Sequence, residues 1–262
     1  MTDLADRLTV AGRLAQEAAA MALRLRPQVG DAVLKSEGLG QDWLTEADGA
    51  VERFLSDELA KAFPEDGFQG EEAGLHREGK LRWVVDPIDG TSNFAHGGQR
   101  WCVSIGLVGQ GEALLGAICA PQLNQLFLAQ KGLGATLNGA PIRVAGTTRL
   151  DRAMVECGWS PRLPDADYQA LVQRVMGQGA MLRAGGSGTL GLADVAAGTQ
   201  DAYVELHINL WDVAAALVVL AEAGARVNPF IAQGDAAGGA PILAATPALA
   251  DQLSALSGIS LI

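Results

Sequence analysis

The stretch Trp83-Val84-Val85-Asp86-Pro87-Ile88-Asp89-Gly90-Thr91-Ser92-Asn93-Phe94 gathers the residue types that bind hard cations and phosphate. Its apolar start, Trp83 to Val85, has the character of a buried strand. Pro87 blocks continuation as a helix and fixes the backbone, and Gly90 permits a sharp turn. Asp86 and Asp89 therefore emerge three residues apart at the end of a rigid strand. Carboxylate oxygens of this kind suit Mg²⁺, and in such a loop the backbone carbonyl of Ile88 can face the same ion. Gly90, Thr91 and Ser92 offer N–H groups and hydroxyls where a helix could begin, a natural phosphate cradle. Taken singly, each residue has a blander role: Asp-Gly as a turn, Asp86 as a cap. The combination is far more specific.

Two further acidic elements stand apart from it. In Gly70-Glu71-Glu72-Ala73-Gly74 the adjacent glutamates would ordinarily be a solvated loop. In Trp211-Asp212-Val213-Ala214-Ala215, Asp212 opens an apolar helix, where an acid serves as a cap or first-turn charge. Asp48, three residues after Thr45, has the spacing of the acid in a capping box, a role compatible with a catalytic one. Of the histidines, His96 follows the Asp-Pro-Ile-Asp motif, but a lone histidine is more often a surface or packing residue.

The elements that must position these residues follow from periodicity. Leu4, Leu8, Ala11, Leu14, Ala18, Met21 and Leu25 form one apolar stripe, predicting a helix over 3–26. A glycine-containing loop with Gly38 and Gly40 precedes a second helix from Thr45 to about Phe63, with Val51, Phe54, Leu55 and Leu59 inward and Pro64 beyond its end. Short strands follow near 82–85, 101–108, 113–119 and 126–130, and Asn138-Gly139 is a hairpin turn. Past residue 150, strands near 153–157, 180–184, 201–206, 225–230 and 241–245 alternate with helices near 166–177, 188–197, 211–223 and 247–256. Strand runs followed by strand–helix alternation imply layered sheets and helices, an α+β or α/β domain.

Composition narrows the function. The 262 residues carry 19 Lys+Arg against 30 Asp+Glu, a net charge of -11, with 49% hydrophobic residues. That excludes wholesale disorder and disfavours nucleic acid or an anionic membrane as partner, both of which need clustered basic residues. The longest purely apolar stretch, Val213 to Ala221, is about half of the ~20 residues a membrane span requires. The N-terminus has no apolar core of a secretory signal. Cys102, Cys119 and Cys157 make no CxxC and no paired framework, so buried thiols in a reducing cytoplasm are the expectation.

Together, Gly70-Glu71-Glu72, Asp86-Pro87-Ile88-Asp89-Gly90-Thr91, and Trp211-Asp212 running to Glu222-Ala223-Gly224 resemble the motifs of the inositol monophosphatase family. These are Mg²⁺-dependent, lithium-sensitive phosphomonoesterases. The resemblance runs from Lys35-Ser36 and Thr45-Glu46-Ala47-Asp48 to the final helix. It implies a layered α/β/α/β/α sandwich like that of fructose-1,6-bisphosphatase. It further implies one phosphatase domain over 1–262, its halves meeting near residue 145, and a homodimer. By position, Glu71, Asp86 and the Ile88 carbonyl match the ligands of a first Mg²⁺, and Asp86, Asp89 and Asp212 those of a second. Glu71 would help hold a weaker third ion. Thr91 and Asp48 match the pair that activates the attacking water, with Glu71 as a further catalytic group. Gly90, Thr91, Ser92, the turn Gly186-Ser187-Gly188 and Glu205, with Asp89 and Asp212, match substrate contacts. The sequence departs from the family pattern at Asn209, where inositol enzymes often carry His, at Ala225, and at Gly186-Ser187-Gly188, usually Gly-Thr-Ala. Leading-substrate expectations are myo-inositol 1-phosphate, then histidinol phosphate, fructose 1,6-bisphosphate or 3′-phosphoadenosine 5′-phosphate. A non-catalytic regulator of the same fold is the reading from another class.

Overall fold

The computed structural model describes residues 3–26, 33–34, 43–44, 46–233 and 238–262. Lys35, Ser36, Gly38, Gly40 and Thr45 lie outside these residues. Helix α1 (Leu4–Leu25), strands β1 (Val33–Leu34) and β2 (Trp43–Leu44), paired antiparallel, and helix α2 (Glu46–Ala62) come first. Strands β3 (Gly67–Gly70), β4 (Gly74–Arg77) and β5 (Leu81–Asp89) lead to the short helix α3 (Thr91–Ala95). Strands β6 (Cys102–Gly109), β7 (Glu112–Ala120), β8 (Gln125–Gln130), β9 (Gly134–Leu137) and β10 (Ala140–Pro141) follow. These build one eight-stranded sheet in the order β10-β9-β8-β7-β6-β5-β3-β4, antiparallel except where β3 lies parallel to β5.

The second half alternates β11 (Met154–Gly158), α4 (Asp165–Met176), β12 (Met181–Arg183), α5 (Gly188–Ala196), β13 (Ala202–Ile208) and α6 (Leu210–Glu222). It ends with β14 (Arg226–Val227), α7 (Phe230–Gln233), β15 (Ala240–Ala245) and α8 (Pro247–Ser257). The smaller sheet has the order β12-β11-β13-β15-β14, with β11 parallel to both neighbours.

Three apolar clusters separate five layers. Helices α1 and α2 cover one face of the large sheet, α5 and α6 fill the space between the sheets, and α4 and α8 cover the far face of the small one. This is the expected α/β/α/β/α sandwich. The buried face of α1 is built from Ala11, Leu14, Ala15, Ala18, Ala19 and Ala22, small enough for close approach to the sheet. Leu25, read as part of the stripe, is instead exposed at the last turn of the helix.

Three local expectations changed. The segment around Glu71-Glu72 is not a free loop: it is the turn between β3 and β4, whose glycine-rich strands carry little apolar signal. The strand expected over 225–230 stops at Val227, because the Asn228 side chain takes over the pairing, accepting from Leu243 N and donating to Pro241 O. Pro229 then cannot donate to a ladder. Finally, β5 does not end at Asp86 but runs to Asp89. The Asn138-Gly139 turn is as expected, with both residues at positive φ (51° and 79°), as a type I′ hairpin demands.

Candidate active site

The site lies at the C-terminal end of β5, beside the N-terminal ends of α5 and α6. The carboxylates of Asp86 and Asp89 are three residues apart, so in a regular strand they would face opposite sides of the sheet. The pairing of β5 with β6 is broken between Asp86, opposite Ser104, and Asp89, opposite Cys102. One extra residue is thus accommodated on β5, and the bulge at Pro87-Ile88 turns both acids to one side. The Ile88 amide donates to Asp86 Oδ1 at 2.9 Å, which closes the local turn.

The third acid arrives through α6. Gly106 on β6 and Gly116 on β7 lie directly beneath Ala214 and Ala215, where a Cβ would strike the helix backbone. Alanines on the helix and glycines on the sheet let α6 sit unusually close, which brings Asp212 to the end of β5. Ligand oxygens of Asp86, Asp89 and Asp212 all lie within 4.8 Å of one another. Asp212 also accepts from the Asn209 amide at 2.9 Å in a capping box. The capping and the clustered roles therefore coexist in one carboxylate. Asn209, the departure from family pattern, is the cap.

Burial pushes the Asp89 carboxyl up, and bonds from Ser187 Oγ and the Thr189 amide (3.0 Å) only partly offset this. The Asp212 carboxyl is pushed up much further, by burial first and then by the charges of Asp89 and Glu71. A set of oxygen donors that burial and mutual repulsion both disfavour is the chemistry a divalent cation relieves, so the residues fit a hard metal ion.

Glu71 lines the same cleft of about 410 Å³. A residue that sequence reasoning missed fixes it: Glu52, on α2, is buried and accepts from the amides of Glu72 and Ala73, both at 2.8 Å. Gly70 leaves room for that carboxylate. The signal was present, since Asp48 and Glu52 sit four apart on the otherwise apolar inner side of α2, and both are buried.

Thr91 Oγ1 donates to the Ile88 carbonyl at 2.8 Å and lies 3.4 Å from Asp48 Oδ1. The shorter contact takes the single hydroxyl proton, leaving the oxygen's lone pairs as acceptors. The Ile88 carbonyl keeps its second lone pair. Gly90 adopts φ 89°, and a Cβ there would sit 2.9 Å from the Arg100 carbonyl, so only glycine makes this turn into α3. Gly90, Thr91 and Ser92 all line the cleft. His96 does not; it is exposed, one ring nitrogen 2.8 Å from the Ser92 carbonyl.

The turn Gly186-Ser187-Gly188 borders the cleft as well, but its serine has an internal task. Ser187 caps α5, accepting from the Leu190 amide at 3.3 Å, and gives its proton to Asp89. Behind this turn lies a second missed feature. Arg100 donates to Asp194 at 2.8 Å and to Glu156 at 3.1 Å, and Glu156 accepts from the Gly185 amide at 2.9 Å. Asn93 Nδ2 donates to the carbonyls of Arg100 (2.7 Å) and Gly185 (2.8 Å). The arrangement locks α3, β11 and the start of α5 together.

Glu205, on β13, borders the cleft, is buried and accepts from the Tyr203 hydroxyl. Burial pushes its carboxyl up to about 8. Glu222, of the Glu-Ala-Gly motif, is structural: it accepts from the amides of Gly132 and Gly134, both at 2.7 Å, pinning the end of α6 to the β8–β9 turn. All three cysteines are buried and free.

Comparisons with known proteins agree with this geometry. The chain matches the inositol monophosphatase family over residues 3–257. It is 41% identical over 191 residues to a Nus factor SuhB of Xylella fastidiosa, covering 72% of this chain and 70% of that one. A Thermotoga maritima fructose-1,6-bisphosphatase/inositol-1-monophosphatase is 37% identical over 201 residues, with 76% of each chain covered. The solved structure of a Thermotoga maritima IMPase superposes with a TM-score of 0.86 at 30% identity, covering 97% of both chains. The chain belongs to the inositol monophosphatase family, a family of phosphoric monoester hydrolases.

Proposed function

We propose that this protein is a Mg²⁺-dependent phosphomonoesterase acting on a small polyol or sugar monophosphate, with inositol 1-phosphate first among candidates. The observation that carries the reading is the convergence of Asp86, Asp89 and Asp212 at one end of a cleft that also holds Thr91 and Glu71. In this reading Glu71, Asp86 and the Ile88 carbonyl hold one ion. Asp86, Asp89 and Asp212 hold a second, and Glu71 helps with a weaker third. When bound, such ions neutralise the phosphoryl oxygens, lower the pKa of water and stabilise the leaving alkoxide. Thr91 accepts a hydrogen bond from the attacking water, its hydroxyl turning from the Ile88 carbonyl to Asp48 as the water is activated. Asp48, buried and with its Oδ1 3.4 Å from Thr91 Oγ1, would take the Thr91 proton as Thr91 takes one from the water. The backbone at Gly90, Thr91 and Ser92 orients the phosphate, and Glu205 holds a hydroxyl of the leaving group.

The acidity of the chain is consistent with this, because the ions rather than Lys or Arg would present positive charge to the substrate. The same reading includes a homodimer, lithium sensitivity and a cytoplasmic location, the last supported by three free, buried thiols. No helix of the described residues is long and apolar enough to cross a membrane.

The test is phosphate release with Mg²⁺ from inositol, sugar, histidinol and nucleotide phosphates. Release from at least one, abolished by EDTA and restored by Mg²⁺, is expected. Release from none favours the second reading, a regulatory protein of the same fold, which the Nus factor designation of the Xylella relative brings forward.

A further inference from the structure

We propose that Trp159 is a specificity-determining residue, a platform on which the ring of a cyclic polyol or sugar phosphate stacks while Glu205 holds one of its hydroxyls. The inference rests on the phosphatase reading above. It begins with the register of the small sheet, where Gly158 of β11 lies opposite Glu205 of β13. A Cβ at Gly158 would collide with the Glu205 carboxylate and the Tyr203 hydroxyl. The carboxylate therefore rests against the backbone of residue 158, and Trp159 and Glu205 border the same cleft. A ring ester with a hydroxyl on Glu205 occupies the cavity that the indole lines.

Trp159 is 40% exposed, whereas Trp83 and Trp101 are fully buried. An aromatic surface of this size left in water forgoes stabilisation unless something covers it. Its polar edge is already tied down: Nε1 donates to Asp165 Oδ1, at the start of α4, at 3.0 Å. The tether fixes the ring and leaves its faces for other contacts. Pro161 and Tyr168 line the cleft with it, forming an apolar wall in a cavity whose remaining residues are mostly acidic or small. An acid that takes a hydroxyl, next to a rigid aromatic plane, matches a hydroxylated ring, which presents polar edges and an apolar C–H face. An open chain such as glycerol offers the hydroxyl but little of the face.

The experiment compares steady-state phosphate release with Mg²⁺ from the best ring ester of the panel and from open-chain glycerol 2-phosphate. Wild type, W159F and W159A are measured on both. Replacing an aromatic platform by alanine should raise KM for the ring ester about five- to ten-fold. The KM for glycerol 2-phosphate should move less than about two-fold, as should kcat on either ester, and W159F, which keeps an aromatic face but loses the tether to Asp165, should fall between wild type and W159A on the ring ester. Should W159A fail to fold, W159Q takes its place with the same expected split. An equal rise in KM on both esters would mark Trp159 as merely structural, and no rise on the ring ester would mark it as idle. Either result overturns the inference while leaving the phosphatase reading intact. Release of phosphate by wild type from neither ester overturns both.

Discussion

Two buried acidic clusters meet the same turn at the start of α5, one at Gly185 and the other at Ser187 and Thr189, and are solved differently. Around Glu156 and Asp194 the charge is neutralised from within, by Arg100 at 3.1 and 2.8 Å. Around Asp89 and Asp212 the donors are neutral: the Ser187 hydroxyl and the Thr189 and Asn209 amides. Burial raises both Glu156 and Asp212, but Arg100 offsets part of the rise at Glu156, whereas the charges of Asp89 and Glu71 drive Asp212 further up. A carboxylate with its own counter-ion holds the fold together. A carboxylate repelled by its neighbours is kept at a cost in stability, which a ligand cation would offset. The difference separates scaffold from site without reference to any relative.

Breaking the second cluster should have the largest effect. Asp89→Asn or Asp212→Asn should lower Mg²⁺-dependent phosphate release by roughly a hundred-fold or more, the scale for losing a group that stabilises transition-state charge. In EDTA, however, D212N should melt about 2–4 °C higher than wild type, since repulsion is relieved. Near-wild-type turnover in these variants would sink the metal assignment. Breaking the first cluster should do the reverse. Glu156→Gln should cost about 1–2 kcal/mol of stability by removing one of the two carboxylates that hold Arg100, Asp194 remaining. Added Mg²⁺ should not restore its melting temperature, and a variant as stable as wild type would erase the contrast.

A smaller effect sharpens the comparison from the supporting side. Glu52→Gln leaves every proposed ligand in place but weakens the turn that carries Glu71. The Mg²⁺ concentration for half-maximal activity should rise about ten-fold, as when a residue supporting a metal ligand is lost. An unchanged Mg²⁺ dependence would mean Glu52 serves only the fold.

The smallest expected effect concerns pH. Glu205 titrates near 8 in the folded protein against an ordinary 4.5. The folded state thus binds more protons than the unfolded state between those values, so stability falls as pH rises through that window and levels off above it. In EDTA the melting temperature should decline from about pH 5 to pH 8, and less so in Glu205→Gln. A melting temperature that climbed over that range would contradict the assignment.

Much of this was legible in the sequence, where local rules act. The helices over 3–26 and 188–197, the Asn138-Gly139 hairpin and the Asp-Pro-Ile-Asp-Gly-Thr turn each declare themselves by periodicity or by a residue with one conformational use. What stayed hidden depends on contacts between distant segments. Glu52 offered only its spacing of four from Asp48, and its partners, the amides of Glu72 and Ala73, are about twenty residues away. Arg100, Glu156 and Asp194 come from separate elements, and no spacing rule relates them. Gly106 and Gly116 gave no sign that α6 would press on them. The continuation of β5 through Asp89 was masked by Pro87, which a bulge accommodates where a regular ladder would not.

The most direct test of the central claim is Mg²⁺ binding to wild type and D212N, read as the melting temperature in EDTA and in saturating Mg²⁺. An ion that binds the folded state a hundred-fold below its working concentration contributes about 2.7 kcal/mol. Wild type should therefore gain several degrees with Mg²⁺, and D212N, already relieved of repulsion, should gain little. Equal shifts in the two proteins, or no shift in wild type, would contradict the claim that these buried acids are assembled for a cation.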